Sequence, residues 1–234
     1  MSRICLVGAG FIARVHEEAL RGIPGARVTA VVDPNAEAAA SLAKSAGGAA
    51  VFASVEEALT AGGFDRAHVL VPPDLHAAAA APLLRAGIAV LLEKPLAVDA
   101  AQCDALITTA AEGNAALGVN QNFVHHPAFA RLRAAVEAGA IGRPNFVSVI
   151  YNVALRQMAA RQFGHWMFRA PGNILLEQAV HPLSQLVTLA GPIQRMQALP
   201  GPAVPWKVAN HEDARVTYHP SRSQVRGLRR SGTT

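Results

Sequence analysis

Cysteine is scarce in this chain, where only Cys5 and Cys103 occur among 234 residues. One falls in a predicted buried strand and the other on a predicted helix, so a disulfide framework is not expected. No apolar run approaches the ~20 residues that a membrane-spanning helix needs. The N-terminus enters a predicted strand without a signal-peptide pattern. We therefore expect a cytoplasmic protein with no membrane partner.

Charged residues are also few, at 16% of the chain against 51% hydrophobic residues, which is typical of a globular protein with a large core. The net charge of +5 has a local origin. Residues 1–194 contain 14 Lys and Arg and 14 Asp and Glu, whereas residues 195–234 contain 7 and 2. A balanced body with a basic tail argues against a nucleic-acid partner for the folded part.

Short apolar runs alternate with helical stretches along the first half of the chain. This alternation indicates parallel βαβ units and a doubly wound sheet. The first helix is expected to end at Gly22, and Ser54 to Glu57 is a capping box that opens another helix. The predicted strands cover residues 3–7, 28–32, 51–53, 67–71, 88–92 and 116–119.

The first strand leads into a glycine-rich turn within residues 4–13. Gly8 permits the tight turn, and Gly10 lets the backbone approach a pyrophosphate where a Cβ atom would collide. Phe11 and Ile12 open the helix whose first N–H groups would face the phosphates. The sequence therefore predicts a dinucleotide site that includes Gly8, Gly10, Phe11 and Ile12.

Asp33 ends the second apolar run and lies 20 residues beyond Ala13. Such folds place an acid there against the adenosine ribose hydroxyls. A carboxylate at this position repels a 2′-phosphate, so NAD is favoured and NADP is left open. The alternative interpretation makes Asp33 only a turn former in the sequence Asp-Pro-Asn.

Ligands of doubly wound sheets bind beyond the carboxyl ends of the strands. Pro72 and His76 follow the fourth predicted strand, Glu93 and Lys94 follow the fifth, and Asn120 follows the sixth. We predict that these five residues help to bind the cofactor. For His76 taken alone, a helix cap or a packed residue is the simpler interpretation.

Lys94 is one of only three lysines, and it stands between an acid and a proline at a predicted strand end. At the rim of a nicotinamide pocket, its ammonium can donate to a substrate hydroxyl and stabilise a developing alkoxide. The alternative is a surface ion pair with Glu93, which contributes little free energy.

Four motifs occur in a fixed order along the chain: Gly-Ala-Gly-Phe-Ile-Ala-Arg-Val-His at 8–16, Pro72-Pro73 with His76, Glu93-Lys94-Pro95, and Gly-Ala-Ile-Gly-Arg-Pro at 139–144. Together they resemble the Gfo/Idh/MocA oxidoreductase family. The resemblance covers residues 2–194 and implies a Rossmann domain that binds NAD or NADP. It also implies a second α/β domain with a mainly antiparallel sheet, and oxidation or reduction of a secondary alcohol on a sugar, cyclitol or related compound.

Residues 171–182 match the family's second signature, a glycine-rich turn followed by Asp-x-Gly-x-His on a helix. The resemblance implies that His181 is the general acid/base and Lys94 its electrostatic partner. Glu177 replaces the family's frequent Asp and stands four residues before His181, on one helix face. There its carboxylate can orient the imidazole. We therefore predict Lys94, His181 and Glu177 as catalytic residues, and no metal site.

The second half of the chain is shorter than the resemblance implies, since relatives continue for on the order of a hundred residues through the second sheet. The expected fold class is α/β: a Rossmann-type doubly wound parallel sheet over residues 1–121, then an incomplete α/β (α+β) domain over 122–194. Only one good strand of the second sheet is predicted, over 145–151. Residues 195–234 are expected to form an irregular basic tail, and a truncated gene would explain this ending.

Two functions follow from these observations. The first is an NAD(P)-dependent oxidoreductase that acts on a small polyhydroxy substrate. The second is a catalytically impaired fragment, or a non-enzymatic protein, that binds NAD(P) without turnover. A homo-oligomer is doubtful because the second sheet is incomplete.

Overall fold

The computed structural model describes residues 1–142, 144–151, 153–170, 172–197, 204–206 and 216–218. The chain divides into two compact units, and the division falls between Asn120 and Gln121. Within the described residues, every helix is too short or too polar to cross a membrane.

Six parallel strands form the sheet of the first unit. They are β1 (Ser2–Val7), β2 (Ala26–Val32), β3 (Ala50–Phe52), β4 (Arg66–Val69), β5 (Ala89–Leu92) and β6 (Leu117–Val119). Their order is β3-β2-β1-β4-β5-β6, so the strand order reverses between β1 and β4. In sheets of this kind, ligands bind in the crevice outside the carboxyl ends of the strands at this reversal. The predicted doubly wound parallel sheet is confirmed.

The sheet is buried on both faces, which explains why residues 4–7 of β1 form a continuous apolar run. Successive side chains of a strand point to opposite faces. Cys5 and Val7 accordingly belong to one hydrophobic cluster, whereas Ile4 and Leu6 belong to the other. The two clusters give the sheet a core on each side.

Five helices cover this sheet: α1 (Phe11–Arg21), α2 (Ala36–Ser45), α3 (Val55–Ala61), α4 (His76–Arg85) and α5 (Ala100–Glu112). Helix α1 ends at Gly22, as predicted from the sequence. The predicted cap of α3 is also present, because the Ser54 hydroxyl accepts from the backbone N–H of Glu57 at 3.2 Å. The Glu57 carboxylate completes the cap by accepting from Ala53 N at 3.0 Å.

Within its described residues, the second unit contains four further α-helices and one pair of strands: α6 (Pro127–Glu137), α7 (Arg156–Ala159), α8 (Asn173–Gln178), α9 (Val180–Ala190), β7 (Val204–Trp206) and β8 (Val216–Tyr218). Strands β7 and β8 pair in antiparallel fashion. These six residues lie within 195–234, for which the sequence analysis predicted an irregular basic tail, and the tail as a whole stays a prediction. Most other residues of the predicted tail lie outside the described part of the chain.

The predicted strand over 145–151 is wrong. Residues 144–151 form no regular element, and the side chains of Phe146 and Ile150 are 73% and 84% exposed. A strand persists only when a neighbouring strand takes up its backbone hydrogen bonds. In the part of the chain that the structure describes, no strand pairs with this segment.

The helix predicted to carry both Glu177 and His181 is divided into α8 and α9 at Ala179. Pro182 explains the division, because a proline has no N–H to donate to the carbonyl of Gln178 four residues earlier. Glu177 therefore lies on α8 and His181 on α9.

Candidate functional site

The glycine turn after β1 contacts the ends of both neighbouring strands, β2 and β4. Gly8 has a φ of +102°, and its N–H donates to the carbonyl of Val32 at 2.7 Å. A Cβ atom on Gly8 would lie 3.0 Å from the backbone carbon and oxygen of Leu70. Both the left-handed backbone and this close approach require glycine.

Gly10 differs from Gly8 because the space beside it is open. It is the N-cap of α1, and an added Cβ atom would meet nothing within 4 Å. The first N–H groups of a helix lack partners inside the helix, and its dipole favours negative charge at that end. Phe11 follows with 59% exposure, and Ile12 is half-buried. This open helix start fits a pyrophosphate.

Asp33 ties the end of β2 to the glycine turn. Its Oδ2 accepts from the backbone N–H of Ala9 at 2.7 Å, and its Oδ1 accepts from Asn35 N at 2.8 Å. The bond to Asn35 belongs to the Asp-Pro-Asn turn, in which the alternative interpretation made Asp33 only a turn former. A carboxylate oxygen accepts more than one hydrogen bond, so contact with ribose hydroxyls stays a prediction.

His76 is fully buried rather than lining the crevice. Its Nδ1 lies 2.8 Å from the carbonyl oxygen of Pro95, and its Nε2 lies 3.0 Å from that of Val71. Burial outweighs these hydrogen bonds and lowers the pKa of the imidazole. Both ring nitrogens thus face backbone carbonyls, and a contact of His76 with the cofactor stays a prediction. His76 joins the turns that follow β4 and β5, and Pro72 of the first turn remains a predicted contact.

Glu93, at the end of β5, is 9% exposed and anchored through both carboxylate oxygens. Its Oε1 accepts from Asn120 Nδ2 at 2.6 Å and lies 2.9 Å from His16 Nε2. Its Oε2 accepts from the backbone N–H of Lys94 at 3.2 Å. Burial opposes ionisation, but the hydrogen bonds from His16 and Asn120 outweigh it and leave the pKa of Glu93 below its ordinary value.

This arrangement changes the interpretation of two predicted residues. Glu93 is not a surface residue, so the surface-pair explanation of Lys94 is wrong. Lys94 follows it at the strand end and is half-buried. Contacts of Glu93, Lys94 and Asn120 with the cofactor stay predictions.

The sequence analysis missed His68 on β4. Its Nδ1 lies 3.0 Å from His16 Nδ1, and the two rings meet edge to face with centroids 5.1 Å apart. Burial, followed by the neighbouring His16, lowers the pKa of His68 to about 4. A histidine within an apolar strand of a sheet covered on both faces is the signal that would have identified it.

In the second unit, His181 is 6% exposed and stacks on Phe123, with ring centroids 4.0 Å apart and planes 21° from parallel. Tyr151 lies beside this pair, 6.3 Å from the His181 ring, and donates through its hydroxyl to Gln178 Oε1 at 3.4 Å. Burial and the charge of Glu177 raise the pKa of Tyr151. Phe123 and Tyr151 were not predicted, because their sequence positions carry no motif.

Metal chemistry was not predicted from the sequence. Among the residues that the structure describes, no group of three or more His, Cys, Asp or Glu side chains could hold a metal ion.

Comparison with family models decides the relationship. A model described as an oxidoreductase family with an NAD-binding Rossmann fold matches residues 2–121. The chain belongs to the Gfo/Idh/MocA family. The model of that family's C-terminal domain matches residues 129–220, which extends into the segment predicted to be a tail. The predicted family and its NAD-binding Rossmann domain are confirmed.

Individual Gfo/Idh/MocA relatives are sugar and cyclitol enzymes. The chain is 34% identical over 192 residues to dTDP-3,4-didehydro-2,6-dideoxy-alpha-D-glucose 3-reductase of Streptomyces violaceoruber, covering 81% of this chain and 54% of that protein. It is 32% identical over 147 residues to inositol 2-dehydrogenase of Rhizobium meliloti strain 1021, covering 63% and 44%. An oxidoreductase structure from Thermotoga maritima has a TM-score of 0.74 at 28% identity, covering 86% and 63%. The chain thus spans about half the length of the curated relatives it matches.

The first unit provides what a Gfo/Idh/MocA Rossmann domain needs to hold NAD. The open N-terminus of α1 beside Gly10 suits the pyrophosphate, and Asp33 stands at the end of β2. Lys94 belongs to this unit, whereas Glu177 and His181 belong to the second. Their catalytic roles stay predictions.

Proposed function

We propose that this chain acts as an NAD-dependent oxidoreductase on a secondary alcohol, or the matching ketone, of a sugar or cyclitol. The observation that carries the proposal is the glycine turn, in which Gly8 lies against the backbone of Leu70, just after β4, and the space beside Gly10 is open. The relatives named as a sugar reductase and an inositol dehydrogenase support this substrate class.

The cofactor preference follows from Asp33. Its carboxylate is held at the end of β2 by two backbone N–H groups. A fixed negative charge there favours ribose hydroxyls and repels a 2′-phosphate. We therefore propose NAD rather than NADP as the preferred cofactor.

The chemistry assigned to the side chains is a proton transfer supported by a cation. NAD, which the turn at Gly10 and the Asp33 carboxylate would hold, would supply the hydride acceptor for the oxidation, and its reduced form the hydride donor for the reduction. In the oxidation, the imidazole of His181 accepts the hydroxyl proton, and Glu177 orients that ring. Lys94 is assigned the electrostatic role, in which its ammonium donates a hydrogen bond to a substrate oxygen and stabilises developing negative charge.

The decisive variant is Lys94→Met, because it keeps the length of the side chain and removes the charge. We expect kcat/KM to fall by about 10²- to 10³-fold, since the lost interaction acts in the transition state. The NADH dissociation constant, measured by fluorescence titration, should change by less than about twofold. Lys44→Met is the matched control, because Lys44 is exposed in the last turn of α2 and should tolerate the change.

The same assay separates the proposal from its alternative. The purified chain is titrated with NADH and then tested with NAD⁺ on a panel of inositols and aldoses, and with NADH on their keto forms. Turnover that Lys94→Met removes supports the oxidoreductase. NADH binding without any turnover would instead support a protein that only binds the nucleotide.

A further inference from the structure

Four polar side chains form a continuous chain of hydrogen bonds through the first unit. It runs from His68 on β4 to His16 on α1, then to Glu93 at the end of β5, and finally to Asn120 just after β6. We call these four residues the His68–Asn120 network. His16 and Glu93 are 8% and 9% exposed, so the network lies at a depth where unpaired polar groups cost considerable free energy.

Proton positions in the network follow from the acceptor at its centre. Glu93 is a carboxylate near neutral pH, because its pKa lies below the ordinary range. It can only accept, so His16 Nε2, 2.9 Å away, carries a proton and donates it. The His16 Nδ1 is occupied by His68 Nδ1 at 3.0 Å. This second contact fixes the imidazole orientation in which Nε2 faces Glu93.

The Glu93 carboxylate contacts the backbone of Lys94, the predicted catalytic residue. Its Oε2 accepts from the backbone N–H of Lys94 at 3.2 Å, while Oε1 is held by Asn120 at 2.6 Å. The network therefore connects α1, β4 and β6 to the backbone of Lys94. Charged groups adjoining it in sequence are Lys94 itself and Glu17, whose carboxylate is bound by Arg21.

We propose that the His68–Asn120 network positions Lys94: His68 orients His16, His16 and Asn120 hold Glu93, and Glu93 fixes the Lys94 backbone. The expected effect of the network on kcat rests on the proposed function. Its effect on the position of the Lys94 backbone does not. All four members are positioning residues, because they act through Lys94 rather than on the substrate. A catalytic group that shifts by a fraction of an ångström loses much of its effect.

Glu93→Gln is the sharpest variant because it keeps the shape of the side chain. Its amide oxygen can still accept from His16 and Asn120, but its NH₂ group then faces the Lys94 N–H, donor against donor. We expect kcat to fall by about 10- to 100-fold and the NADH dissociation constant to change by much less than kcat does. The Lys94 amide, followed by NMR hydrogen exchange, should exchange faster than in the wild type.

Two variants of His16 test its role in the network, and a third variant, at Glu17, serves as the control. His16→Leu removes the donor to Glu93 and should lower kcat, whereas His16→Gln places an amide nitrogen near the former Nε2 and should restore most of the loss. Glu17→Gln is the control, because Glu17 is also a buried acid, 3% exposed, but is bound to Arg21 and Ser45 outside the network. It should lower the melting temperature and leave kcat and Lys94 exchange unchanged.

The outcomes separate this inference from the proposed function. A lower kcat with a much smaller change in NADH affinity, faster Lys94 exchange and rescue by His16→Gln supports positioning. Parallel losses of kcat and NADH affinity would overturn it, as would a lower melting temperature with unchanged kcat. If the wild type turns over no substrate, the proposed function fails, but hydrogen exchange of the Lys94 amide still tests the positioning inference. Equal exchange rates in the wild type and Glu93→Gln would overturn that inference.

Discussion

Two glycines separated by one residue serve opposite purposes in the turn after β1. Gly8 faces protein, since a Cβ atom there would approach the backbone of Leu70 to 3.0 Å. Gly10 faces open space, and nothing lies within 4 Å of such an atom. The first glycine is therefore required by folding, and the second is free to serve a ligand.

Gly8→Ala should destabilise the fold. The φ of +102° and the contact with Leu70 each oppose a methyl group. We expect the free energy of unfolding to fall by about 1–3 kcal/mol, measured by urea denaturation. An unchanged unfolding midpoint would contradict the geometry described for this turn.

A buried acid on α1 makes the stability of the first unit depend on pH. Hydrogen bonds from Arg21 outweigh burial and lower the pKa of Glu17, and the Ser45 hydroxyl adds to the effect. A lowered pKa means that the folded state favours the carboxylate. Its contribution is therefore complete above the ordinary value of 4.5 and is lost as the pH falls through the lower folded-state value.

Glu17→Gln should remove part of this acid sensitivity. We expect the variant to lose less unfolding free energy than the wild type between about pH 5 and about pH 2. Urea unfolding at several pH values measures both slopes. Identical slopes would show that Arg21 does not perturb the ionisation of Glu17.

Residue roles were predictable where a local motif dictates them. Gly8 and Gly10 follow from the turn that any strand entering a dinucleotide-binding helix must make. The surroundings of His76 could not be predicted, because its two partners, the carbonyls of Val71 and Pro95, come from different turns. His68 was missed for the same reason, since its partner His16 lies 52 residues away.

At the scale of elements, helices α4 and α5 meet at a glycine. A Cβ atom on Gly113, the C-cap of α5, would collide with the carbonyl oxygen of Leu84 in α4. Backbone cannot yield as a side chain does, so these two elements can pack this closely only around glycine.

Gly113→Ala should force α4 and α5 apart and lower the unfolding free energy by about 1–3 kcal/mol or more. Gly22→Ala is a matched control, because Gly22 is also a helix C-cap with nearly the same backbone, φ −80° and ψ −5° against −80° and −1°. Its Cβ atom would lie 3.4 Å from Ala19 O, which is nearly ordinary contact. Equal destabilisation by the two substitutions would contradict the packing explanation.

Elements of the first unit were predictable because each contains its own signals. Helix α1 ends at Gly22, and Ser54 opens α3, without reference to distant residues. The strand predicted over 145–151 depends on neighbours that its own sequence cannot specify, and it did not form. The division of α8 from α9 was readable in principle, because Pro182 cannot donate a backbone hydrogen bond.

At the scale of the whole molecule, both units match models of the Gfo/Idh/MocA family, and the predicted cofactor contacts lie in the first unit. The family model of the Rossmann domain matches 2–121, and the chain spans about half of its curated relatives. We expect cofactor binding to depend on this one compact unit. The proposed turnover would also require Glu177 and His181 of the second unit.

NADH titration of the wild type and Gly10→Val, followed by fluorescence, tests the central claim that the backbone beside Gly10 holds the pyrophosphate. Gly10 has an ordinary φ of −76°, so valine should leave the cofactor-free melting temperature unchanged. We predict saturable binding to the wild type and an affinity lower by about 100-fold or more in Gly10→Val. Equal affinities in two equally stable proteins would contradict the account.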